Sequence, residues 1–468
     1  MRSKRPPFRW TSCRLLLLVF IGYFVVRGIR SRPPGKPLPE ICTKIINEKQ
    51  EFFQSSKSGV QCKESSNLKA KWKGRGPRPE NEYDVQEFMF RSKHTNSAQE
   101  DVTVAVQLSM DRLSHLERLG NSWQGPVSAS VYIPHPRTST KGKALISELS
   151  DFHESVDAKG IFSLDLGVVF ALEGIEKMNP AMSDFVEFNK VSVAELYRYM
   201  YPVNVGRNVA LAQVQTDLTL LLDVDFVVSR HARNAALGAN PYWSNVMCEI
   251  RRRLPLNRGM FAVFPAFESG KGRAPPTDKN SLIANYRQGF VRRMSGNLIT
   301  HCPTDYQYWM RSDHDYVIQY GNFFEPYGIA ATEAIPWFPE DFKGYHLNKI
   351  MIYFAMAAKG WDFVVLPDHF VVHVWHPPSQ SRNLTLGNPA IMKHIHKYKD
   401  DYVMDLAKGV DTCGPEIVNE ALKPHGERDL KGEDIKPEPV GLIDDIHKFH
   451  EVPCTQLTGM GRRKMLFH

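Results

Sequence analysis

The sequence lacks several patterns that would assign it quickly to a class of protein. No Cys-x-x-Cys pair occurs, which argues against a structural zinc site. No internal repeat is visible, so a repeat architecture is not expected. Beyond residue 36 the chain has 50 basic and 51 acidic residues, a balance that gives nucleic-acid binding little support. The chain has 468 residues, 42% of them hydrophobic, which is enough for one large domain or two ordinary ones.

Acidic residues are also missing from the first 36 positions, which contain nine Lys or Arg. Among them lies the apolar run Leu15–Val26, which spans only about 18 Å as a helix. A membrane span therefore has to extend on both sides, with Arg14 and Arg27 reaching to the two interfaces. A cleaved signal peptide is the alternative, but no Ala-x-Ala-like site follows Val26. We predict a cytosolic tail and transmembrane signal anchor over residues 1–30.

The rest of the chain divides into three parts by composition. Residues 31–100 are polar and rich in turns, and are predicted to be a stem. Residues 101–410 carry the periodic apolar segments, and residues 411–468 form a charged, Pro-rich tail. Six cysteines beyond the anchor are an even number, as disulfides in a lumenal chain require, but the sequence does not choose a pairing. The single glycosylation sequon, at Asn383, is consistent with a lumenal location.

Apolar runs of strand length alternate with helix-like segments between residues 101 and 410. This alternation predicts an α/β domain with a mainly parallel central sheet. Strands are predicted at Val102–Leu108, Val127–Ile133, Phe162–Leu172, Leu218–Leu222, Met260–Phe267, Phe363–Leu366 and Phe370–Val374, and helices at Leu113–Gly120, Pro202–Val214, Asp278–Tyr286 and Asn348–Ala358.

The segment Thr216–Ser229 is the most informative for function. Its apolar run ends in Asp223-Val224-Asp225, and residues i and i+2 of a strand point to the same face. Ligands of open α/β sheets bind beyond the carboxyl ends of the strands, where two carboxylates suit Mg²⁺ or Mn²⁺ bound to a diphosphate. This layout is typical of a nucleotide-sugar glycosyltransferase. A second Asp-x-Asp, at Asp313, follows no apolar run and is interpreted as a solvated turn.

Several motifs occur in an order that resembles one family. They are Asn204–Ala210, Leu222–Phe226, Phe264–Glu268, Cys302–Asp305, Phe324–Tyr327, Tyr345–Asn348 and Val364–His373. Together they resemble the glucuronyltransferase family that includes the beta-1,4-glucuronyltransferase of dystroglycan glycosylation and the second catalytic domain of LARGE-type enzymes. The resemblance covers about residues 101–400 and does not extend to the anchor, stem or tail.

The resemblance implies a type II Golgi membrane protein with a lumenal GT-A domain. Such an enzyme moves a sugar, here glucuronic acid, from a UDP-sugar donor to a glycan acceptor on a glycoprotein, with Mn²⁺ and with inversion. The family's metal-binding positions fall on Asp223, Asp225 and His373, with His376 as the rival histidine. Nucleotide contacts fall on Arg207, Asn208 and Asp223, although Arg207 could instead pair with a nearby acid.

An inverting transfer also needs a general base, and a carboxylate is the usual choice. Glu325 is the first candidate, followed by Asp341 and Glu340. The segment Tyr345–Asn348 departs from the family, because relatives carry a glycine where this chain has His346. Two alternatives therefore stay open: another donor (UDP-xylose, UDP-N-acetylglucosamine or UDP-galactose), or an inactive Golgi protein that binds glycans or a partner enzyme. Homo- or hetero-oligomers with other Golgi transferases are left open too.

Overall fold

The computed structural model describes residues 83–94, 101–171, 200–239, 246–247, 249–250, 259–294, 298–321 and 323–409. The predicted anchor, most of the predicted stem and the predicted tail lie outside these residues. Within them, no helix combines the length and apolar character that crossing a membrane requires.

A nine-stranded sheet forms the centre of the described part, in the order β1-β4-β3-β2-β5-β11-β7-β12-β10. It is mixed, with four parallel and four antiparallel neighbours, so the prediction of a mainly parallel sheet is wrong. Strand direction depends on the connections between strands, which the apolar runs do not reveal. The strands are β1 Tyr83–Phe90, β2 Val102–Ser109, β3 Val127–Ile133, β4 Leu164–Ala171, β5 Leu218–Leu221, β7 Met260–Phe264, β10 Tyr316–Ile318, β11 Tyr327–Ala331 and β12 Asp362–Val365.

A smaller, four-stranded sheet has the order β6-β13-β8-β9. Its strands are β6 Phe226–Val228, β8 Ala266–Ser269, β9 Val291–Arg293 and β13 Val371–His373. The predicted strand Met260–Phe267 is therefore two strands, β7 and β8, which belong to different sheets. Pro265 separates them, and proline lacks the N–H that a continuous ladder would use. The chain passes from the large sheet to the small one between β5 and β6, between β7 and β8, and between β12 and β13.

The main α-helices are α1 Leu113–Trp123, α2 Thr140–Lys159, α3 Val203–Ala212, α4 Lys279–Arg287, the single turn α5 Tyr306–Trp309, α6 Ile350–Ala358, α7 Gln380–Gly387 and α8 Pro389–Gly409. Short helical turns occur at Met110–Arg112, Ala232–Asn234, Ala235–Ala239, Leu298–Thr304 and Thr332–Ala334. The sequence predicts that α1 ends at Gly120, but it continues to Trp123 and is capped by Gln124 at φ 57°. Gly120 instead allows close packing, because a Cβ there would lie 2.3 Å from the ring of Phe162.

Strand β1 lies within residues 31–100, which the sequence assigns to the stem. It pairs antiparallel with β4 at the edge of the large sheet. Its end is fixed by Asp157 of α2, whose carboxylate accepts hydrogen bonds from the Ser92 hydroxyl (2.6 Å) and the Lys93 amide (3.1 Å). The sheet thus extends into the predicted stem. The sequence misses this strand because its residues are mostly half-buried, so its pattern lacks clean alternation.

The carboxyl-terminal helices α7 and α8 pack on α6 and on the loop that precedes it. Leu384 of α7 and Ile391, Ile395 and Val403 of α8 share a core with α6. The loop contributes Phe342 and Leu347 to the same core. This packing fixes the loop 336–349, which reaches the functional site.

Candidate active site

The two aspartates of Asp223-Val224-Asp225 lie where the chain passes from β5 of the large sheet to β6 of the small one. Strand β13 pairs antiparallel with β6, with His373 opposite Phe226. The amide of Val374 then donates to the carbonyl of Asp225 at 2.9 Å. This pairing brings two segments that are nearly 150 positions apart in sequence into contact.

Asp225 lies with two histidines of the β13 segment. Its Oδ2 is 2.7 Å from His376 Nε2 and 3.3 Å from His373 Nε2, and the two Nε2 atoms are 3.2 Å apart. Burial alone would raise the pKa of Asp225, but hydrogen bonds from both histidines bring it well below its usual range. Burial opposes a charge on His373, yet its hydrogen bond with Asp225 raises the pKa of His373. We call Asp225, His373 and His376 the histidine cluster.

Asp223 lies in a different environment, among cations. Its Oδ1 accepts from Arg207 at 3.1 Å, and its Oδ2 accepts from Lys349 at 2.7 Å and from the Tyr327 hydroxyl at 3.0 Å. Burial disfavours ionisation of Asp223, but the charges of Lys349 and Arg207 lower its pKa overall. We call Asp223, Arg207 and Lys349 the cation cluster.

Lys349 connects this cluster to the first candidate base. Its ammonium is 3.1 Å from Oε1 of Glu325 and 3.8 Å from the centre of the Tyr327 ring, and its side chain is only 4% exposed. A lysine is rarely buried unless it is paired, and here two carboxylates and an aromatic face surround it. His301 also stacks on the Tyr327 ring. Burial and the nearby Lys349 lower the pKa of His301 to about 3, so this ring is neutral.

Helix α3 holds the loop that carries Lys349. Asn204 donates to the carbonyls of Pro339 and Asn348 at 2.7 and 2.8 Å. Arg207 donates to the side-chain oxygen of Asn348 at 2.8 Å. Asn208 exchanges hydrogen bonds with the backbone of Phe338. Positions 204, 207 and 208 lie on one face of a helix, so a single face of α3 fixes the loop.

The predicted site residues fall into three groups. Asp223 and Glu325 meet at Lys349 and Arg207 pairs with Asp223, whereas Asp225 and His373 meet at His376. Asn208 and Glu340 bind each other at 2.8 Å, which gives both a role in holding the loop. The remaining candidate base, Asp341, is exposed.

The sequence did not identify Lys349 and Tyr327 as residues of the site. The sequence did contain one indication that Lys349 is buried. This residue directly precedes helix α6, in which every residue is buried. Cys302 forms a disulfide, so it is not available as a nucleophile.

The histidine cluster has the composition of a metal site. Asp225, His373 and His376 each offer one ligand atom, all within 4.8 Å of one another. The second carboxylate oxygen of Asp225, Oδ1, is buried and has no hydrogen-bond partner within the described structure. A buried carboxylate oxygen without a partner is costly unless a ligand satisfies it. One carboxylate and two imidazoles suit a divalent transition metal such as Mn²⁺. These residues therefore fit the predicted ion.

Known proteins that are similar to this chain include glycosyltransferases and glycosyltransferase-like proteins. It is 28% identical over 312 residues to the xylosyl- and glucuronyltransferase LARGE2 of Homo sapiens, covering 66% of this chain and 37% of that protein. It is 28% identical over 292 residues to the glycosyltransferase-like protein gnt14 of Dictyostelium discoideum, covering 60% and 38%. The chain thus spans less than half the length of these relatives.

Solved structures that resemble the fold include S. aureus TarS 1-349 in complex with UDP-GlcNAc. That match has a TM-score of 0.35 and 11% identity, and covers 69% of this chain and 70% of the other. The model of the family described as glycosyl-transferase for dystroglycan matches residues 101–382. This segment is more than half of the chain and includes both clusters, so the protein belongs to that glycosyltransferase family.

Proposed function

We propose that the protein is a metal-dependent glycosyltransferase that moves a sugar from a UDP-sugar to a glycan acceptor with inversion. Glucuronic acid is the sugar that the resemblance favours. The observation that carries the proposal is the histidine cluster beside the cation cluster. In the histidine cluster, Oδ1 of Asp225 is buried and has no hydrogen-bond partner among the described residues. Family membership supports the reaction type, and the paired clusters support catalytic rather than purely structural use.

The divalent ion, Mn²⁺ in this proposal, would be held by Asp225, His373 and His376, and would supply Lewis-acid neutralisation of the donor diphosphate. Asp223 was predicted to bind the metal too, but both of its oxygens hold cations or a hydroxyl. We therefore assign Asp223 to orienting Arg207 and Lys349. These two cations add positive charge where UDP leaves.

Glu325 is the general base of this proposal. The acceptor hydroxyl oxygen attacks the anomeric carbon, the bond from that carbon to the diphosphate breaks, and the hydroxyl proton passes to the Glu325 carboxylate. The side chain of Glu325 is 29% exposed, so an acceptor can reach it, and Lys349 fixes its position at 3.1 Å. Glu340 is bound to Asn208 and is therefore better placed to support the loop.

UDP release by the purified full-length protein tests the proposal. UDP-glucuronic acid, UDP-xylose, UDP-N-acetylglucosamine and UDP-galactose would each be supplied with Mn²⁺ and with EDTA. We expect one donor to be hydrolysed above the others and EDTA to abolish the reaction. Release from none of them, with or without an acceptor, would contradict an enzymatic function and favour the glycan-binding alternative.

The location is a separate proposal, for a single-pass type II Golgi membrane protein. The apolar run between Arg14 and Arg27 supports it, as does the exposure of the sequon residue Asn383. Carbonate extraction and glycosidase treatment test it. Full recovery in the soluble fraction, or an unmodified Asn383 in a secretory cell, would contradict this topology.

A further inference from the structure

A half-exposed aromatic side chain lies in the loop that carries Lys349. Tyr345 belongs to the loop before α6 and is 40% exposed, one of few large apolar side chains in the described residues with such exposure. Burial of its hydroxyl raises the pKa of Tyr345, and the carboxylates of Glu325 and Glu268 raise it further. Tyr345 lies four positions before Lys349, whose ammonium is 3.1 Å from Glu325, and part of the Tyr345 side chain faces solvent.

The conformation of the loop presents this ring in a fixed position. His346 and Leu347, directly after Tyr345, have φ angles of 78° and 57°, in the left-handed region that favours glycine. Such strain persists only where the surroundings fix the backbone. Leu347 is buried in the core with α8, and the His346 ring lies 5.4 Å from that of His396 on α8. A mobile surface residue would not be held in this way.

The second component is Arg382 of α7. Its guanidinium carbon lies 5.8 Å from the centre of the Tyr345 ring, and it opposes the rise in the pKa of Tyr345. Among the described residues, no carboxylate forms an ion pair with Arg382, unlike Arg207 and Arg292, which pair with Asp223 and Glu268. A guanidinium that forms no ion pair with a described carboxylate and lies near a catalytic site is suited to an anionic group of a ligand.

We infer that Tyr345 and Arg382 form the acceptor subsite, in which a sugar ring packs on Tyr345 and an acidic substituent of that sugar binds Arg382. The inference rests on the proposed function and names its acceptor class as an acidic glycan. Aromatic faces bind the apolar C–H side of a sugar ring, and the nearby Glu325 receives the acceptor proton. The shared ligand chemistry is an anion on a hexose, whether a carboxylate, a sulfate or a phosphate.

Direct binding of small glycosides to the full-length protein tests this subsite without requiring turnover. Methyl β-D-glucuronide and methyl β-D-glucoside differ only at C6, which is a carboxylate in the glucuronide and a hydroxymethyl group in the glucoside. The 6-sulfate and the 6-phosphate of the glucoside would be tested as the other two acidic sugars. Saturation-transfer NMR with UDP and Mg²⁺ present would give the ratio of dissociation constants between each acidic sugar and the neutral one. We expect the wild type to bind at least one acidic sugar about ten-fold more tightly.

Variants of Arg382 and Tyr345 test which side chain is responsible for the preference for acidic sugars. Arg382→Ala should bring the ratio to about one, Arg382→Lys should keep part of it, and Tyr345→Ala should weaken binding of acidic and neutral sugars alike. Tyr345→Phe keeps the ring and should retain most of the binding. Lys271→Ala is the matched control, because Lys271 lies 4.8 Å over the Trp375 ring in a second cation–aromatic pair near His376. This control should keep the wild-type ratio.

Three results would overturn the inference: no acid preference in the wild type, an unchanged ratio in Arg382→Ala, or loss of the preference in Lys271→Ala alone. These failures are distinguishable from failure of the proposed function. Sugar binding is measured without a reaction, whereas the proposed function fails when no UDP-sugar is turned over.

Discussion

The two carboxylates of one short motif have opposite surroundings. Asp223 binds two cations and a tyrosine hydroxyl with its two oxygens, and none of these contacts needs an ion from solution. Asp225, two residues later, meets two histidines on one oxygen, and its other oxygen has no hydrogen-bond partner among the residues that the structure describes. The difference indicates that the two aspartates divide the work: Asp225 would bind the metal, and Asp223 would organise the protein's own positive charges.

Removal of the negative charge from Asp225 should have the largest effect on activity. Asp225→Asn takes away the only carboxylate of the histidine cluster, so we expect UDP-sugar turnover to fall by about a thousand-fold or more. Asp223→Asn makes the same change two residues away and should reduce turnover less, because it leaves the three residues of the histidine cluster in place. UDP release at saturating Mn²⁺ would measure both. Full activity in Asp225→Asn would contradict the proposed metal site.

Lys349 is the residue whose loss should affect stability most. In Lys349→Met, Asp223 and Glu325 lose their buried partner, and breaking a buried ion pair in this way costs about 3 kcal/mol or more of the free energy of unfolding. The double variant Lys349→Met with Asp223→Asn should recover part of this loss, because it removes one uncompensated charge. Urea denaturation would give the values. Additive losses in the double variant would show that the two side chains are not coupled.

Single histidine variants should show intermediate, recoverable losses. The sequence alone favours His373 over His376 as the metal ligand, but both rings contact Asp225 in the structure. We therefore expect His373→Ala and His376→Ala each to raise the Mn²⁺ concentration for half-maximal turnover about ten-fold or more, with excess metal restoring part of the activity. Wild-type metal dependence in His376→Ala would return the ligand role to His373 alone.

A third carboxylate, Asp157, provides a comparison outside the site. It holds the end of β1 through Ser92 and Lys93, and Asp157→Asn should cost about 1–2 kcal/mol of stability while turnover stays unchanged. Burial alone would raise the pKa of Asp157, but these hydrogen bonds lower it overall. Its contribution is therefore present above the unfolded pKa of about 3.9 and is lost as the pH falls below that value. Melting temperatures at pH 7 and pH 3.5 should differ less in the variant than in the wild type.

Much of the α/β core could be predicted from the sequence, because buried strands appear as continuous apolar runs. The runs at Val127 and Leu218 became strands at the predicted places. Strand direction and sheet membership could not be predicted in the same way. Pro265 was visible as a break in a strand, but only tertiary structure shows that the chain changes sheets there. The edge strand β1 was missed because half-buried positions follow neither apolar pattern.

The functional site, like the fold, could be predicted only in part from the sequence. The spacing of Asp223 and Asp225 predicts that both face one ligand, yet the two residues lie at the passage between sheets and meet different partners. The sequence placed Glu325 ahead of Asp341 and Glu340, but the contacts with Lys349 and Asn208 that distinguish these carboxylates are visible only in the structure. Such contacts join residues that are more than 20 positions apart and leave no local pattern.

Binding of Mn²⁺ in the presence of UDP, followed by the electron paramagnetic resonance signal of the free ion, tests the division between the two aspartates most directly. Titrations of the wild type, Asp223→Asn and Asp225→Asn would be compared at one pH. The account predicts that Asp225→Asn loses the bound ion while Asp223→Asn retains it with an affinity close to that of the wild type. Equal loss of Mn²⁺ in both variants, or retention in Asp225→Asn, would contradict it.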